Sequence, residues 1–129
     1  MSIEIESVFC AAHALRAGHE TEALHGHNFH VTVRLTCQKL DGEQTVADFR
    51  EVEGLLEQAL APWQNQNLNV LEPFRGRVNP SAERLAEQIG LRMQGLLEGL
   101  ADDPVDGRGL RVAEVRLTEA PGCMAIWTA

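Results

Sequence analysis

The chain reads as one α+β domain: an antiparallel sheet with two helices. Three observations predict this. Apolar residues alternate with period two at both ends of the chain, they shift to a helical period in the middle, and the 129 residues match the commonest domain size.

In order, Ile3-Glu4-Ile5-Glu6 opens a strand over residues 2–10 with one buried face. A charged loop follows over 14–24, containing Gly18. Alternation resumes over 25–37, with Val31, Val33 and Leu35 on one face and Thr32, Arg34 and Thr36 on the other. Asp41-Gly42 is a hairpin signal, and Thr45-Val46-Ala47 is read as a third strand returning along the second. Asp48, with Glu51 three residues later, resembles a capping box. Val52, Leu55, Leu56, Ala59 and Leu60 then form a helical stripe that Pro62 ends.

Residues 63–79 are polar, rich in Asn and Gln, and read as a long functional loop. A second helix begins around Asn79-Pro80-Ser81, with the stripe Leu85, Ile89, Met93, Leu96, Leu97 and Leu100. Residues 102–109 break it. The stretches 110–118 and Cys123–Thr128 are two strands, or one interrupted at Pro121-Gly122. Phe29, Phe49, Trp63 and Trp127 are assigned to packing, as are Cys37 and Cys123.

Composition narrows the function. Eleven basic against nineteen acidic residues leave a net charge of −8, and the pI is near 5.0. That argues against nucleic acid and against an anionic membrane surface as partners. No apolar run reaches the ~18 residues that cross a bilayer. The acidic start Met1-Ser2-Ile3-Glu4 does not read as an export signal. Three widely spaced cysteines fit a reducing compartment. The expectation is a cytoplasmic protein.

All five histidines fall within residues 13–30. His25 and His27 lie two apart in a strand, so both rings project from one face and can reach one ion at ~2.0–2.1 Å. His13, near the end of the first strand, supplies a third ring if the two strands are neighbours. Three histidines with an open position are the catalytic pattern for zinc, although other divalent ions accept the same donors. The plainer alternative is a pair of surface histidines. His30 has the opposite parity and faces away; His19 sits in the loop.

Several segments together resemble the 6-pyruvoyl-tetrahydropterin and 6-carboxy-tetrahydropterin synthase family. They are Phe9-Cys10-Ala11-Ala12-His13, Leu24-His25-Gly26-His27-Asn28-Phe29 and Val46-Ala47-Asp48-Phe49. Leu68-Asn69, Asn79-Pro80-Ser81-Ala82-Glu83 and Val115-Arg116-Leu117-Thr118-Glu119 continue in the same order. The resemblance implies a T-fold, with sheets of several subunits joining into an oligomeric barrel, typically a homo-hexamer. It implies Zn2+ on His13, His25 and His27, a pterin anchored by Glu119 with Thr118 beside it, and 7,8-dihydroneopterin triphosphate as substrate.

The chain also departs from that pattern. Thr21 stands at the family's catalytic Cys, and Trp63, Gln64 and Asn65 stand where a Leu-Asp-His stretch supplies a proton relay. Neither Gln nor Asn titrates. Glu22, three residues before His25, resembles instead the branch in which a Glu replaces the Cys and the side chain is cleaved to 6-hydroxymethyl-dihydropterin. Glu22 is then the base for a retro-aldol cleavage, and Arg75 and Arg77 are candidates for the triphosphate. The alternatives are solvated charges at Glu20 and Glu22 and an exposed basic loop at the arginines. A zinc-containing pterin-binding homologue without the standard synthase activity is the competing function, and a metal that merely pins two strands is a third.

Overall fold

In the computed structural model, which describes residues 1–100 and 107–129, strand β1 (Ser2–His13) lies antiparallel to β4 (His25–Thr36) along its whole length, from Ser2↔Thr36 to His13↔His25. Between them the loop forms a small ribbon, β2 (Arg16–Ala17) and β3 (Glu20–Thr21), turning at Gly18 with φ +61°. Helix α1 (Phe49–Leu60) follows, capped by the Asp48 carboxylate, which accepts from Arg50 N–H at 2.8 Å. A short strand β5 (Gln66–Asn67) runs parallel to the end of β1. Helix α2 (Ala82–Glu98) starts after Ser81, whose hydroxyl caps Arg84 N–H. Strands β6 (Arg111–Ala120) and β7 (Cys123–Thr128) are a hairpin joined at Pro121-Gly122. The sheet order is β5-β1-β4-β6-β7.

The periodicities explain the core. Ile5, Phe9, Phe29, Val31, Val33, Leu35, Val115 and Leu117 share the inward face and are buried. Val52, Leu56, Ala59 and Leu60 of α1 and Leu85, Ile89, Met93 and Leu97 of α2 cover them. Trp63, Leu68 and Phe74 join this core, so the stretch read as a polar loop carries three fully buried anchors within its irregular backbone. Cys37 is buried as expected.

Four expectations need correction. Thr45-Val46-Ala47 is not a strand, because β1 and β6 occupy both edges of β4 and leave no ladder for it. The segment closes on Asp41 instead: its carboxylate accepts from Glu43 N–H, Thr45 N–H and the Thr45 hydroxyl. The Thr45 amide holds that carboxyl below its usual range, with the Thr45 hydroxyl adding to the effect. Phe49 is 52% exposed, since it opens α1 beyond the helix face that meets the sheet. Cys123 is exposed at the turn into the edge strand. Strand β1 also continues past residue 10 to His13. The break expected over 102–109 falls mostly outside the described residues.

Trp127 of β7 packs against α2 at Gly90, where a Cβ would come within 2.1 Å of the indole. Gly90→Ala is therefore expected to displace Trp127 and cost about 1–3 kcal/mol, the usual overpacking penalty, read as a lower urea midpoint.

Candidate functional site

The inward face of β1 and β4 changes character at one end. Behind Phe9 and Phe29 come Ala11↔His27 and then His13↔His25. The parity that buries Phe29 and Val31 therefore turns His25 and His27 to the same side, and His30 is exposed on the other. The three imidazole centroids are 4.8, 4.8 and 5.1 Å apart, and Phe29 meets His13 and His27 edge-on.

Second contacts set which nitrogen each ring offers. His13 is fully buried, and its Nδ1 is 2.7 Å from the Pro80 carbonyl. His25 Nδ1 is 2.9 Å from the Ala23 carbonyl. A carbonyl oxygen only accepts, so in both rings Nδ1 carries a proton, and the tautomer this selects is the one whose Nε2 is free to ligate. Burial lowers the pKa of His27, opposed by Glu119 and reinforced by His13 and His25, which favours its neutral form.

Glu119 completes the group. It extends the inward row of Val115 and Leu117 on β6, and its Oε1 lies 2.8 Å from His13 Nε2 and 3.3 Å from His27 Nε2. Despite those distances, both Nε2 atoms are buried without a hydrogen bond. Lone pairs and a carboxylate facing one another are electrostatically unfavourable until a cation lies among them. One donor atom each from His13, His25, His27 and Glu119 falls within 4.8 Å of the others. Three imidazoles and a carboxylate are a donor set that suits zinc among the divalent ions.

Sequence reasoning placed the three histidines together but gave Glu119 to the substrate alone, whereas the structure brings its carboxylate among their ring nitrogens, in a group that could hold a metal ion. A cavity of about 420 Å³ touches His27 and Glu119, but most of its lining, Gly26, Asn28, His30 and Thr118, has the opposite parity, so it opens mainly on the outward face of the sheet. A larger pocket of about 570 Å³, between Met1, Leu40, Val46 and Phe49, contains no imidazole; donor chemistry, not size, marks the site. Glu22 stands at the margin. Its Oε1 lies 3.7 Å from His25 Nε2 and also accepts from Leu15 N–H at 2.9 Å. His19, Arg75 and Arg77 are exposed.

The departures from the family pattern have structural work. Gln64 Oε1 accepts from Cys10 N–H at 3.2 Å, and Asn65 N–H donates to the Cys10 carbonyl at 2.6 Å with φ 58°. These residues dock their segment on β1. The sequence reading missed Asn69 and Asn79 as side chains with a specific role; its only signal was their place in the matched strings.

The sequence model of a family described as 6-pyruvoyl tetrahydropterin synthase matches residues 2–129. The chain belongs to that family. Among solved structures it is similar to the 6-pyruvoyl tetrahydropterin synthase of Caenorhabditis elegans (TM-score 0.78, 18% identity, covering 100% of this chain and 95% of that one). The Plasmodium vivax enzyme gives a TM-score of 0.77 at 21% identity, covering 100% and 97%. A variant of that enzyme with a catalytic glutamate replaced by alanine gives 0.71 at 19%, covering 100% and 97%. No curated protein matches. At these identities the structures speak for the fold: two helices packed on one face of a mostly antiparallel sheet, the T-fold of the tetrahydropterin synthases.

Proposed function

We propose that this chain is a zinc-dependent lyase acting on the side chain of 7,8-dihydroneopterin triphosphate, by retro-aldol C–C cleavage with Glu22 as base. The observation that carries the reading is the gathering of His13, His25, His27 and Glu119, whose donor atoms lie within 4.8 Å of one another. In it, the three histidines hold the ion, which supplies Lewis-acid polarisation of the substrate's side-chain hydroxyls. Glu119 borders both the histidines and the cavity; its carboxylate receives the pterin ring N–H and amino group, with Thr118 lining the same space. Glu22, held by Leu15 N–H on the His25 side, takes the hydroxyl proton. The glutamate described as catalytic in the Plasmodium vivax enzyme supports a carboxylate in this role. A homo-oligomer, a hexamer in the family's manner, and a cytoplasmic setting belong to the same proposal.

A second reading, a zinc-containing pterin-binding homologue without synthase turnover, is favoured by Gln64 and Asn65, which do not titrate, the Gln64 amide being bonded to Cys10 N–H of β1. Incubating zinc-loaded protein with dihydroneopterin triphosphate separates the two. The lyase reading expects an aldehyde fragment and 6-hydroxymethyl-dihydropterin. It also expects Glu22→Gln to slow turnover by ~10²–10⁴-fold, the usual contribution of a general base, while pterin binding persists. Tight pterin binding with no product from the unsubstituted protein establishes the second.

A further inference from the structure

Three residues leave the metal-binding group at the end of β1: Ala14, Leu15 and Arg16. Their backbone groups are paired largely by side chains. Asn69 Oδ1 accepts from Ala14 N–H at 2.8 Å, while its Nδ2 donates to the Ala14 carbonyl at 2.7 Å. Asn79 repeats this on Arg16 at 2.8 and 2.7 Å. On the opposite edge, Leu15 N–H donates to Glu22 Oε1 at 2.9 Å, and Glu22 N–H donates to the Leu15 carbonyl at 3.0 Å. Extended backbone turns alternate residues to opposite edges, so two asparagines take one edge and Glu22 the other. An asparagine amide, with an acceptor and a donor side by side, reproduces the pairing that a neighbouring strand would give one residue.

We infer that Asn69 and Asn79 are positioning residues that hold residues 14–16 rigid between His13 and Glu22. The inference rests on the reading of the histidines as metal ligands and Glu22 as base. His13 precedes the clamped segment, and its Nδ1 partner, the Pro80 carbonyl, follows Asn79 directly. Leu15, at the centre of the segment, orients the Glu22 carboxylate. Both asparagines lie more than fifty positions away in sequence; the other restraints on this stretch are the two-residue ribbon, Glu22 and the Arg16 guanidinium, which donates to the Val78 and Phe74 carbonyls. A partner bonded directly to a ligand, as the Pro80 carbonyl is to His13, is worth ~10–100-fold in metal affinity, and the asparagines act one contact further out.

Cobalt(II) alone is the probe, titrated into metal-free protein and followed by its visible absorption. Asn69→Ala and Asn79→Ala are expected to weaken cobalt binding by up to ~10-fold, the low end of the range for direct outer partners, and to shift its bands. Asp48→Ala, which removes a helix cap remote from the site, is expected to leave both unchanged. Where one asparagine variant does not fold, the other carries the test. Undiminished affinity with unchanged bands in the asparagine variants overturns the inference, and so does equal weakening by Asp48→Ala. Failure of the unsubstituted protein to take up cobalt is a distinct result, and overturns the metal-centre reading together with the inference built on it.

Discussion

Replacing His13 by alanine is expected to abolish stoichiometric divalent-metal binding at micromolar protein. His13 is the one polar residue among the described ones that is fully buried. Its Nδ1 is committed to Pro80, and its Nε2 has no hydrogen bond. Structural zinc sites contribute ~10–16 kcal/mol over about four ligands, so one imidazole accounts for about 3 kcal/mol, or a hundredfold or more in affinity. A competition titration against a chromophoric chelator measures this directly. His30→Ala is the matched control, since that ring lies on the opposite face of β4 and its loss should leave affinity unaltered. Equal metal affinity in the His13 variant and the unsubstituted protein would contradict the site as drawn.

Trp63→Ala is expected to be the most destabilising change in the core, by ~3–5 kcal/mol. The indole is fully buried, its ring 5.7 Å from Phe9 and 5.6 Å from Phe74, with the Arg92 Cζ 4.1 Å above it. Arg92 is itself partly desolvated, which lowers its pKa, and Nη1 donates to the Ala59 carbonyl. Truncation thus opens a cavity and removes a cation–π partner at once. Since small domains have total stabilities of ~5–15 kcal/mol, much of the margin is at stake. Urea denaturation should show a large fall in midpoint at constant slope, with Trp127 remaining as the fluorescent reporter. Trp63→Phe should lose less, because it keeps a ring there and deletes an Nε1–H that has no partner. A loss under about 1 kcal/mol for the alanine variant would mean that the surrounding side chains close the space.

The residue pattern by itself determined what depends on near neighbours. Period two put His25, His27, Phe29 and Val31 on one face and His30 on the other. Period 3.6 picked out the buried faces of both helices, and Asp48 marked the start of the first; the second begins at Ala82, with Pro80 before its Ser81 cap and not in its first turn. These follow from backbone geometry repeating every few residues, which is legible along the chain. Only the tertiary structure decided which groups meet across long separations. Pro80 reaches His13 over 67 positions, Asn69 reaches Ala14 over 55, and Glu119 arrives from the far hairpin. The same holds for the absent third strand: alternation at Thr45-Val46-Ala47 shows that a segment could be a strand, but sheet edges are finite. β1 and β6 had already taken both sides of β4, so the segment folded onto the Asp41 carboxylate instead.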